Sequence, residues 1–430
     1  MFVSVLFVMT ILAAPFPARA FTGIVVDASN RLPIEEAIVT MGNVATRTDH
    51  DGKFQIDGVG NTLGIRAYGH QRISITTDEL KEPSKPIELA PLIPKALYLS
   101  FYGIGSSKLR SAALGLIDST ELNAVVIDVK GDRGLIAFKT DLPLAQQAHS
   151  NELKTIPDAK ALIASLHRDN IYAIARIVVF KDDPLATARP DFAVKRASGA
   201  LFKDRERLAW TDPFNHEVWD YNISIAEEAA QAGFDEIQFD YVRFPDAPGL
   251  RFSKPVDSMK SRMSAIDGFL SEARRRLTPY NVFLAADIFG YVMWNLDDTH
   301  IGQRLEELSP IVDYISPMLY PSCFQFGIPG YRNPVAHPYE IVFLSLQNAR
   351  ERGVPSIRFR PWLQAFRDYA FDHRDYGGPQ IRAQISAAEK FGSTGWMLWN
   401  PHNRYTGEGL KVEGLACKQD APKVVESAAQ

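Results

Sequence analysis

Apolar runs and polar segments alternate along most of the chain from residue 96 onward. Short runs rich in Val, Ile and Ala are separated by stretches in which apolar residues recur every three to four positions. The first pattern is typical of buried parallel strands, and the second of amphipathic helices. The runs predict eight strands, at residues 96–102, 124–130, 172–180, 236–244, 282–289, 314–320, 357–366 and 395–399.

Eight strand–helix units predict a (β/α)8 barrel of the TIM type over residues 96–410. Glycines are expected to end several helices, at Gly233, Gly353 and Gly392. A doubly wound open sheet is the alternative fold. The lack of a complete Gly-rich phosphate loop after the first strand argues against it, because Gly103-Ile104-Gly105 has no third glycine.

The preceding segment follows a different pattern. Residues 21–80 contain short β-type runs separated by turn signals such as Asp51-Gly52, which predicts a small all-β sandwich domain. Residues 81–95 carry four prolines and are interpreted as a linker. Residues 411–430 form a polar C-terminal tail.

Residues 1–20 combine an apolar run with Ala18-Arg19-Ala20, which predicts a signal peptide and a secreted or periplasmic protein. An uncleaved membrane anchor is the alternative.

The amino-acid composition argues against several classes of function. The formal net charge of -4 argues against nucleic acid or an anionic membrane as the main partner. The histidines in the predicted loops lack ligand spacing, so we expect no metal and no cofactor. There are two cysteines, Cys323 and Cys417, which could pair in an oxidising compartment or remain as free thiols. The oligomeric state is left open.

Polar residues stand where the predicted strands end. Asp240 closes the fourth run, and Asp287 lies near the end of the fifth. Because the C-terminal ends of barrel strands meet at one face, we expect these side chains to gather there. We interpret Asp240 and Asp287 as the catalytic pair. The residues predicted to bind substrate are Asp128, Arg176, Tyr241, Arg243, Tyr320, Gln364, Trp399 and Asn400.

Two carboxylates on neighbouring strands suit glycoside hydrolysis, in which they flank the scissile bond. Arg243 and Arg176 are expected within reach of Asp240, which suits a negatively charged nucleophile. The apolar surroundings of Asp287 are expected to raise its pKa, which suits a general acid. The alternative for Asp240 is a structural ion pair with Arg176. Asp128 is expected to support the site rather than to donate the proton.

The barrel resembles a family of predicted glycoside hydrolases distantly related to the alpha-amylase group. The resemblance rests on NAVVIDVK at 123–130, ARIVVFKD at 175–182, GFDEIQFDYVRFP at 233–245, IGQ at 301–303 and DYISPMLYPS at 313–322. It implies a nucleophile at Asp240 and a general acid at the position of Asp287, where that group carries glutamate. Gln364 stands where that group has an aspartate, and Cys323 where the family pattern has histidine.

Residues 21–80 resemble the carboxypeptidase regulatory-like domain. The matching residues are Gly23-x-Val25-x-Asp27, Pro33-Ile34-x-x-Ala37 and Thr48-Asp49-x-Asp51-Gly52-x-Phe54. This resemblance implies an accessory module without catalytic residues. The two resemblances together predict a secreted glycosidase acting on a polysaccharide or oligosaccharide. The departures at Asp287, Gln364 and Cys323 leave a non-catalytic, secreted polysaccharide-binding barrel as the alternative function.

Overall fold

The computed structural model of the protein describes residues 19–78, 85–256 and 258–412. It contains an N-terminal β unit, made of the strands between residues 19 and 89, followed by a parallel barrel. The strands are β1 (Arg19–Asp27), β2 (Ile38–Met41), β3 (Val44–Arg47), β4 (Lys53–Gly58), β5 (Thr62–Arg66), β6 (Ile73–Thr76), β7 (Ile87–Leu89), β8 (Lys95–Leu99), β9 (Ala124–Lys130), β10 (Tyr172–Val178), β11 (Lys195–Arg196), β12 (Glu236–Asp240), β13 (Leu250–Arg251), β14 (Phe283–Phe289), β15 (Tyr314–Met318), β16 (Trp362–Gln364) and β17 (Trp396–Trp399).

The helices lie almost entirely between the strands of the barrel. Two of them end where a glycine was predicted to stop them: α6 at Gly233, with φ 108°, and α10 at Gly392, with φ 85°. The helices are α1 (Phe101–Gly105), α2 (Ser107–Ser119), α3 (Pro143–Gln147), α4 (Ala159–Arg168), α5 (Asp183–Ala188), α6 (His216–Ala232), α7 (Met259–Leu277), α8 (Leu305–Leu308), α9 (Pro338–Glu351) and α10 (Gly378–Phe391).

Eight parallel strands close the barrel in the order β8-β9-β10-β12-β14-β15-β16-β17, with β17 pairing back onto β8. Each of the eight predicted runs overlaps one of these strands, so the (β/α)8 prediction is confirmed and the open-sheet alternative is wrong. All seven residues of β9 and of β10 are buried. Such continuous burial is expected for strands covered by side chains inside the barrel and by helices outside it.

The N-terminal β unit consists of two small sheets that share one apolar core. One sheet has the order β4-β1-β7 and the other the order β3-β2-β5-β6. Val25, Val39, Phe54 and Leu63 are among the side chains of both sheets that form the core. The predicted resemblance to the carboxypeptidase regulatory-like domain stays a prediction. The predicted signal segment lies outside the described residues, except for Arg19 and Ala20 at the start of β1.

The segment predicted to be a linker contributes structure at both of its ends. Residues 87–89 form β7, which pairs in parallel with β1, and Lys95 begins the first barrel strand. Ile87 and Leu89 are buried in the core of the β unit, whereas Glu88 between them is exposed. Three residues next to prolines are too short a pattern to predict a strand. The core of the β unit therefore extends beyond residue 80, the boundary that the sequence predicted. The predicted tail, residues 411–430, is described only for its first two residues.

The β unit docks on the end of the barrel at which the strands begin. Arg72 bridges the two, with its Nε 3.1 Å from Asp235 Oδ1 and its Nη2 donating to the carbonyls of Gly233 and Phe234. Asp235 immediately precedes β12, and its other oxygen is 2.9 Å from His167 Nε2. These contacts tie the β unit to the connection between α6 and β12.

A second contact between the two parts is buried. The guanidinium of Arg66 donates to Asn281 Oδ1 at 3.2 Å and lies 3.9 Å from Asp313 Oδ2. Gly64 lies so close to Asn281 that an added Cβ would be 2.5 Å from that side chain. Asn281 and Asp313 precede β14 and β15. The β unit therefore covers the N-terminal end of the barrel and leaves the C-terminal end free for a site.

We expect Arg72→Ala to lower the free energy of unfolding by about 2 kcal/mol, because it removes three charge-assisted hydrogen bonds between the β unit and the barrel. Urea denaturation measures the change. The matched control is Arg31→Ala, which removes an exposed ion pair with Glu88 in the same β unit. The control should cost about 0.5 kcal/mol or less. Equal losses in the two variants would contradict the docking role of Arg72.

Candidate active site

The guanidinium of Arg176 is the centre of a carboxylate cluster inside the barrel. The side chain comes from β10 and is 1% exposed. It donates to Asp128 Oδ1 at 2.6 Å, to Asp132 Oδ1 at 2.9 Å and to Asp240 Oδ2 at 2.5 and 3.0 Å. Its Nε also lies 3.9 Å from Asp287 Oδ2. One buried cation thus gathers four aspartates from the C-terminal halves of neighbouring strands and their loops.

Asp240 is the last residue of β12 and accepts three N–H groups. Two are from Arg176, and the third is the backbone N–H of Tyr241, 2.5 Å from Asp240 Oδ1. Tyr241 has a φ of 49°, a left-handed conformation that is uncommon for a residue with a side chain. Such strained residues concentrate at functional sites. The turn at Tyr241 aims its N–H back at the carboxylate that precedes it.

Asp287 has a different environment on the next strand, β14. Its Oδ1 accepts a hydrogen bond of 2.7 Å from Trp362 Nε1, while its Oδ2 has no hydrogen-bond partner among the described residues. Burial, with the Asp240 charge as the second cause, raises the pKa of Asp287 well above its usual range. The side chain has no exposed surface. Asp287 is therefore suited to remain protonated where an exposed aspartate would be charged.

The two predicted catalytic carboxylates are close together. Arg176 Nε lies 3.0 Å from Asp240 Oδ2 and 3.9 Å from Asp287 Oδ2. The sum of the two distances, 6.9 Å, is the largest separation that these oxygens can have. Carboxylate pairs of glycosidases span about 5 to 9.5 Å. The upper bound of 6.9 Å falls inside this range, so the two carboxyl groups are no farther apart than a catalytic pair can be.

Two further aspartates complete the cluster. Asp128 Oδ2 accepts from the hydroxyl of Tyr98 at 2.6 Å and from the backbone N–H of Phe101 at 3.2 Å. Burial, opposed by Arg176, raises the pKa of Asp128 to about 6. Asp132 lies in the loop after β9, and its side chain is 34% exposed. Asp132 is the carboxylate of the cluster with the greatest access to solvent.

Aromatic rings surround the cluster. Tyr98 stacks on Trp399, with centroids 4.0 Å apart, and the guanidinium of Arg176 lies 5.0 Å from the centre of the Trp399 ring. Trp362 meets Trp399 edge to face at 5.4 Å. Burial, together with nearby aspartates, raises the pKa of Tyr320 well above its usual range. Trp399 is partly exposed, and its contact with a ligand stays a prediction.

Arg243 does not lie where the sequence predicted. It makes no ion pair with Asp240; its Nη1 donates to the carbonyl of Phe244 at 3.0 Å. Its guanidinium lies 5.0 Å from the Trp210 ring and 5.3 Å from the Tyr241 ring. Arg243 follows the end of β12 by three residues, and the turn at Tyr241 separates it from Asp240. Of the two predicted cations, Arg176 is the one that contacts Asp240, and this contact fits both the nucleophile and the structural ion pair.

Two predicted substrate ligands have their amides engaged by the protein. Gln364 is buried; its Nε2 donates to Ser322 Oγ and Phe366 O, and its Oε1 accepts from the backbone of Ser322. Asn400 Nδ2 donates to the carbonyl of Ala365 at 2.6 Å. A strand-end amide can tie neighbouring loops together as well as bind a ligand. Both amides therefore fasten loops at the barrel rim, and their contact with substrate stays a prediction.

Three residues of the cluster were missed by the sequence analysis. Tyr98 and Trp362 lie within apolar strands, and the sequence does not distinguish them from core aromatics. Asp132 lies in the loop that follows the strand carrying Asp128. Lys130 itself pairs with Asp182 at 2.7 Å. The turn Gly131-Asp132-Arg133-Gly134 was the available signal for Asp132, because polar loops after barrel strands often carry site residues.

Within residues 19–78, 85–256 and 258–412, no three or more His, Cys, Asp or Glu side chains are placed so that together they could hold a metal ion. None of the helices in this part of the chain is long and apolar enough to cross a membrane. Cys323 Sγ lies 3.2 Å from the hydroxyl of Tyr369. Cys417, with which Cys323 could pair, lies outside the described residues, so both alternatives for the two cysteines stay predictions.

Comparison with known proteins identifies similar domains. Residues 96–405 match the family model described as "Putative glycosyl hydrolase domain". The glycoside hydrolase domain of PgaB (BpsB) from Bordetella bronchiseptica has a TM-score of 0.53 and 17% identity, covering 72% of this chain and 95% of that chain. This likeness concerns the fold alone. No curated protein matches the chain.

Two further solved structures are similar with lower TM-scores. A hypothetical protein from Ruminiclostridium thermocellum ATCC 27405 is 36% identical over 44% of this chain and 96% of its own, with a TM-score of 0.40. A class V chitinase from Nicotiana tobaccum is 12% identical over 72% of this chain and 94% of its own, with a TM-score of 0.42. Because their TM-scores are low, neither structure adds to what the barrel topology shows about the fold.

We expect Asp287→Asn to weaken the dependence of stability on pH. The folded protein holds the Asp287 proton to a higher pH than the unfolded chain does. Stability is therefore lost as the pH rises from the ordinary aspartate pKa of about 3.9 to the raised folded value. Asparagine stays neutral and can still accept from Trp362. Urea denaturation at a series of pH values should give a flatter profile for the variant.

The control for the loss of one charge is Asp220→Asn, at an exposed carboxylate. Its profile should run parallel to that of the parent protein. If Asp287→Asn also ran parallel to the parent, Asp287 would not hold its proton more tightly in the folded state.

Proposed function

The chain belongs to the family described as "Putative glycosyl hydrolase domain", and from that membership we propose that it hydrolyses a polysaccharide or oligosaccharide with Asp240 and Asp287. One observation carries the proposal: two carboxyl groups in contrasting environments lie within 3.9 Å of a single nitrogen of Arg176. Glycoside hydrolysis needs a charged and a protonated carboxyl group side by side.

The contrasting environments assign the roles. Asp240, with three N–H groups directed at it, is the charged group that attacks or stabilises the oxocarbenium-like centre. Asp287, with its raised pKa and its unpartnered Oδ2, donates a proton to the leaving oxygen. Arg176 positions both carboxyl groups. Tyr320, two residues after β15, joins the partly exposed Trp399 in contacting the sugar.

The proposal includes export from the cytoplasm. Phe2 to Ala14 form an apolar run, and Ala18-Arg19-Ala20 fits the small-x-small pattern at which signal peptides are cleaved. A polysaccharide substrate outside the cell would agree with a secreted or periplasmic location.

A non-catalytic polysaccharide-binding barrel is the second candidate, and one observation favours it. The Asp287 side chain has no exposed surface and that of Asp240 has only 8%, so a sugar reaches them only after side chains above them move. A screen of glycans with product detection separates the two candidates. Saturable binding without product would support the binding barrel.

We expect Asp240→Asn to lower kcat by about a thousandfold or more on any glycan that the parent protein cleaves. Asparagine has the same shape but lacks the charge that the transition state requires, and loss of a nucleophile has effects of this order. The rate of product formation is the measurement, with circular dichroism to verify the fold. Asp51→Asn, in the β unit, is the control with unchanged turnover. Near-normal turnover of Asp240→Asn would exclude the carboxylate-pair mechanism.

We expect the effect of Asp287→Asn to depend on the leaving group. A poor leaving group needs the proton, so kcat on a natural glycan should fall about 10²- to 10⁴-fold. A 4-nitrophenyl glycoside of the same sugar needs little proton donation and should be largely spared. If both substrates lost turnover equally, the proton would come from another group. Asp132, half-buried and bound to the same arginine, is then the acid to test.

A further inference from the structure

A cleft with a volume of about 480 Å³ opens at the same end of the barrel as the carboxylate cluster. Seven aromatic side chains line it, among them Trp210, Tyr241, Tyr291, Phe326 and Tyr369. Binding clefts are typically apolar and aromatic, with a few polar groups that fix the ligand's orientation. An aromatic face suits the C–H face of a sugar ring, while polar groups at the rim can bond its hydroxyls.

The cleft adjoins the strand ends that carry the carboxylate cluster. Tyr241, Phe289 and Cys323 line it, and they follow Asp240, Asp287 and Tyr320 by one, two and three residues respectively. Tyr241 belongs to both parts, because its ring lines the cleft while its backbone N–H holds Asp240. A chain lying in the cleft is therefore adjacent to the proposed catalytic pair, which it reaches once the side chains above the buried carboxylates move.

The rim of the cleft carries unusually exposed aromatic rings. Phe326 is 89% exposed and Tyr369 is 55% exposed. Both are held in place: the backbone N–H of Phe326 donates to the hydroxyl of Tyr291 at 2.9 Å, and the Tyr369 ring stacks on Phe366. Exposed apolar groups that stand together beside a cleft mark a surface that binds a partner.

The charges lining the cleft balance. Lys181, Arg205 and Arg243 are matched by three acidic side chains, Asp204, Glu206 and Asp246. Lys181 is already paired with Glu206 at 2.8 Å. A balanced lining gives no field that would attract a polymer with a charge on every sugar. The negative cluster beneath the cleft further disfavours an anionic chain.

We propose that this cleft is an extended subsite for an uncharged glycan chain several sugars long, with Phe326 and Tyr369 as stacking platforms distant from the bond that is cleaved. The assignment rests on the proposed glycan function and gives it a substrate class. It distinguishes the residues that act on the bond from those that hold the rest of the chain. Loss of a platform should weaken binding of long chains and leave short substrates unaffected.

The test measures binding by titration calorimetry in the Asp240→Asn background, so that no substrate is consumed. The probes are hexasaccharides and disaccharides of the cello-, malto-, xylo- and chito- series, with polygalacturonate and chitosan as charged polymers. Phe326→Ala and Tyr369→Ala should each weaken binding of the preferred hexasaccharide roughly tenfold, the effect of exposing about half of a large apolar side chain. Binding of the disaccharide should not change. Leu32→Ala, at an exposed apolar residue of the β unit, is the matched control.

Other outcomes would overturn the assignment. Unchanged hexasaccharide binding in both platform variants would exclude the cleft, even if the parent protein hydrolyses glycans. Binding of none of the neutral series, or salt-sensitive binding of a charged polymer alone, would exclude an uncharged chain. Platform-dependent binding with no product from the parent protein would retain the cleft and overturn hydrolysis. The experiment thereby distinguishes a wrong assignment of the glycan-binding cleft from a wrong assignment of the hydrolytic reaction.

Discussion

The upper half of the barrel depends on the buried guanidinium of Arg176. Four aspartates approach this one cation, and a single positive charge cannot compensate four negative charges away from water. The cluster therefore retains protons. Burial raises the pKa of Asp287 well above its usual range and raises that of Asp128 to about 6. The same interaction that makes the cluster tolerable inside the protein also produces an unequal pair of carboxyl groups, which is the basis of the proposed chemistry.

The two ends of the barrel carry different kinds of contact. Structural ion pairs lie at the end where the strands begin, and the candidate site lies at the end where they finish. Near the start of the strands, Arg360 pairs with Glu236, whose Oε2 also accepts from the hydroxyl of Tyr172 at 3.1 Å. The N-terminal β unit covers that end through Arg66 and Arg72. The opposite end carries Arg176, its aspartates and the aromatic cleft. This arrangement follows the general division of such barrels, in which loops after the strands hold the site.

Aromatic residues occur both inside the barrel and at the rim of the cleft, and their depth in the barrel decides what they contact. Tyr98 and Trp362 are buried and orient Asp128 and Asp287 through hydrogen bonds. Phe326 and Tyr369 extend into solvent at the rim of the cleft. The side-chain type is similar in both places, whereas the depth in the barrel differs. Composition alone could therefore indicate only that aromatic surface is abundant.

The sequence by itself determined the barrel, because eight apolar runs buried on both faces have few other ways to cover their backbone and side chains. It also located Asp240 and Asp287, since a carboxylate at the end of a buried strand is costly unless it is used or paired. Tertiary structure decided the partners: Arg176 rather than Arg243 contacts Asp240, Gln364 and Asn400 fasten loops, and residues 87–89 complete the β unit. Pairing depends on which side chains the closed barrel brings together across strands, and distance along the chain does not encode that.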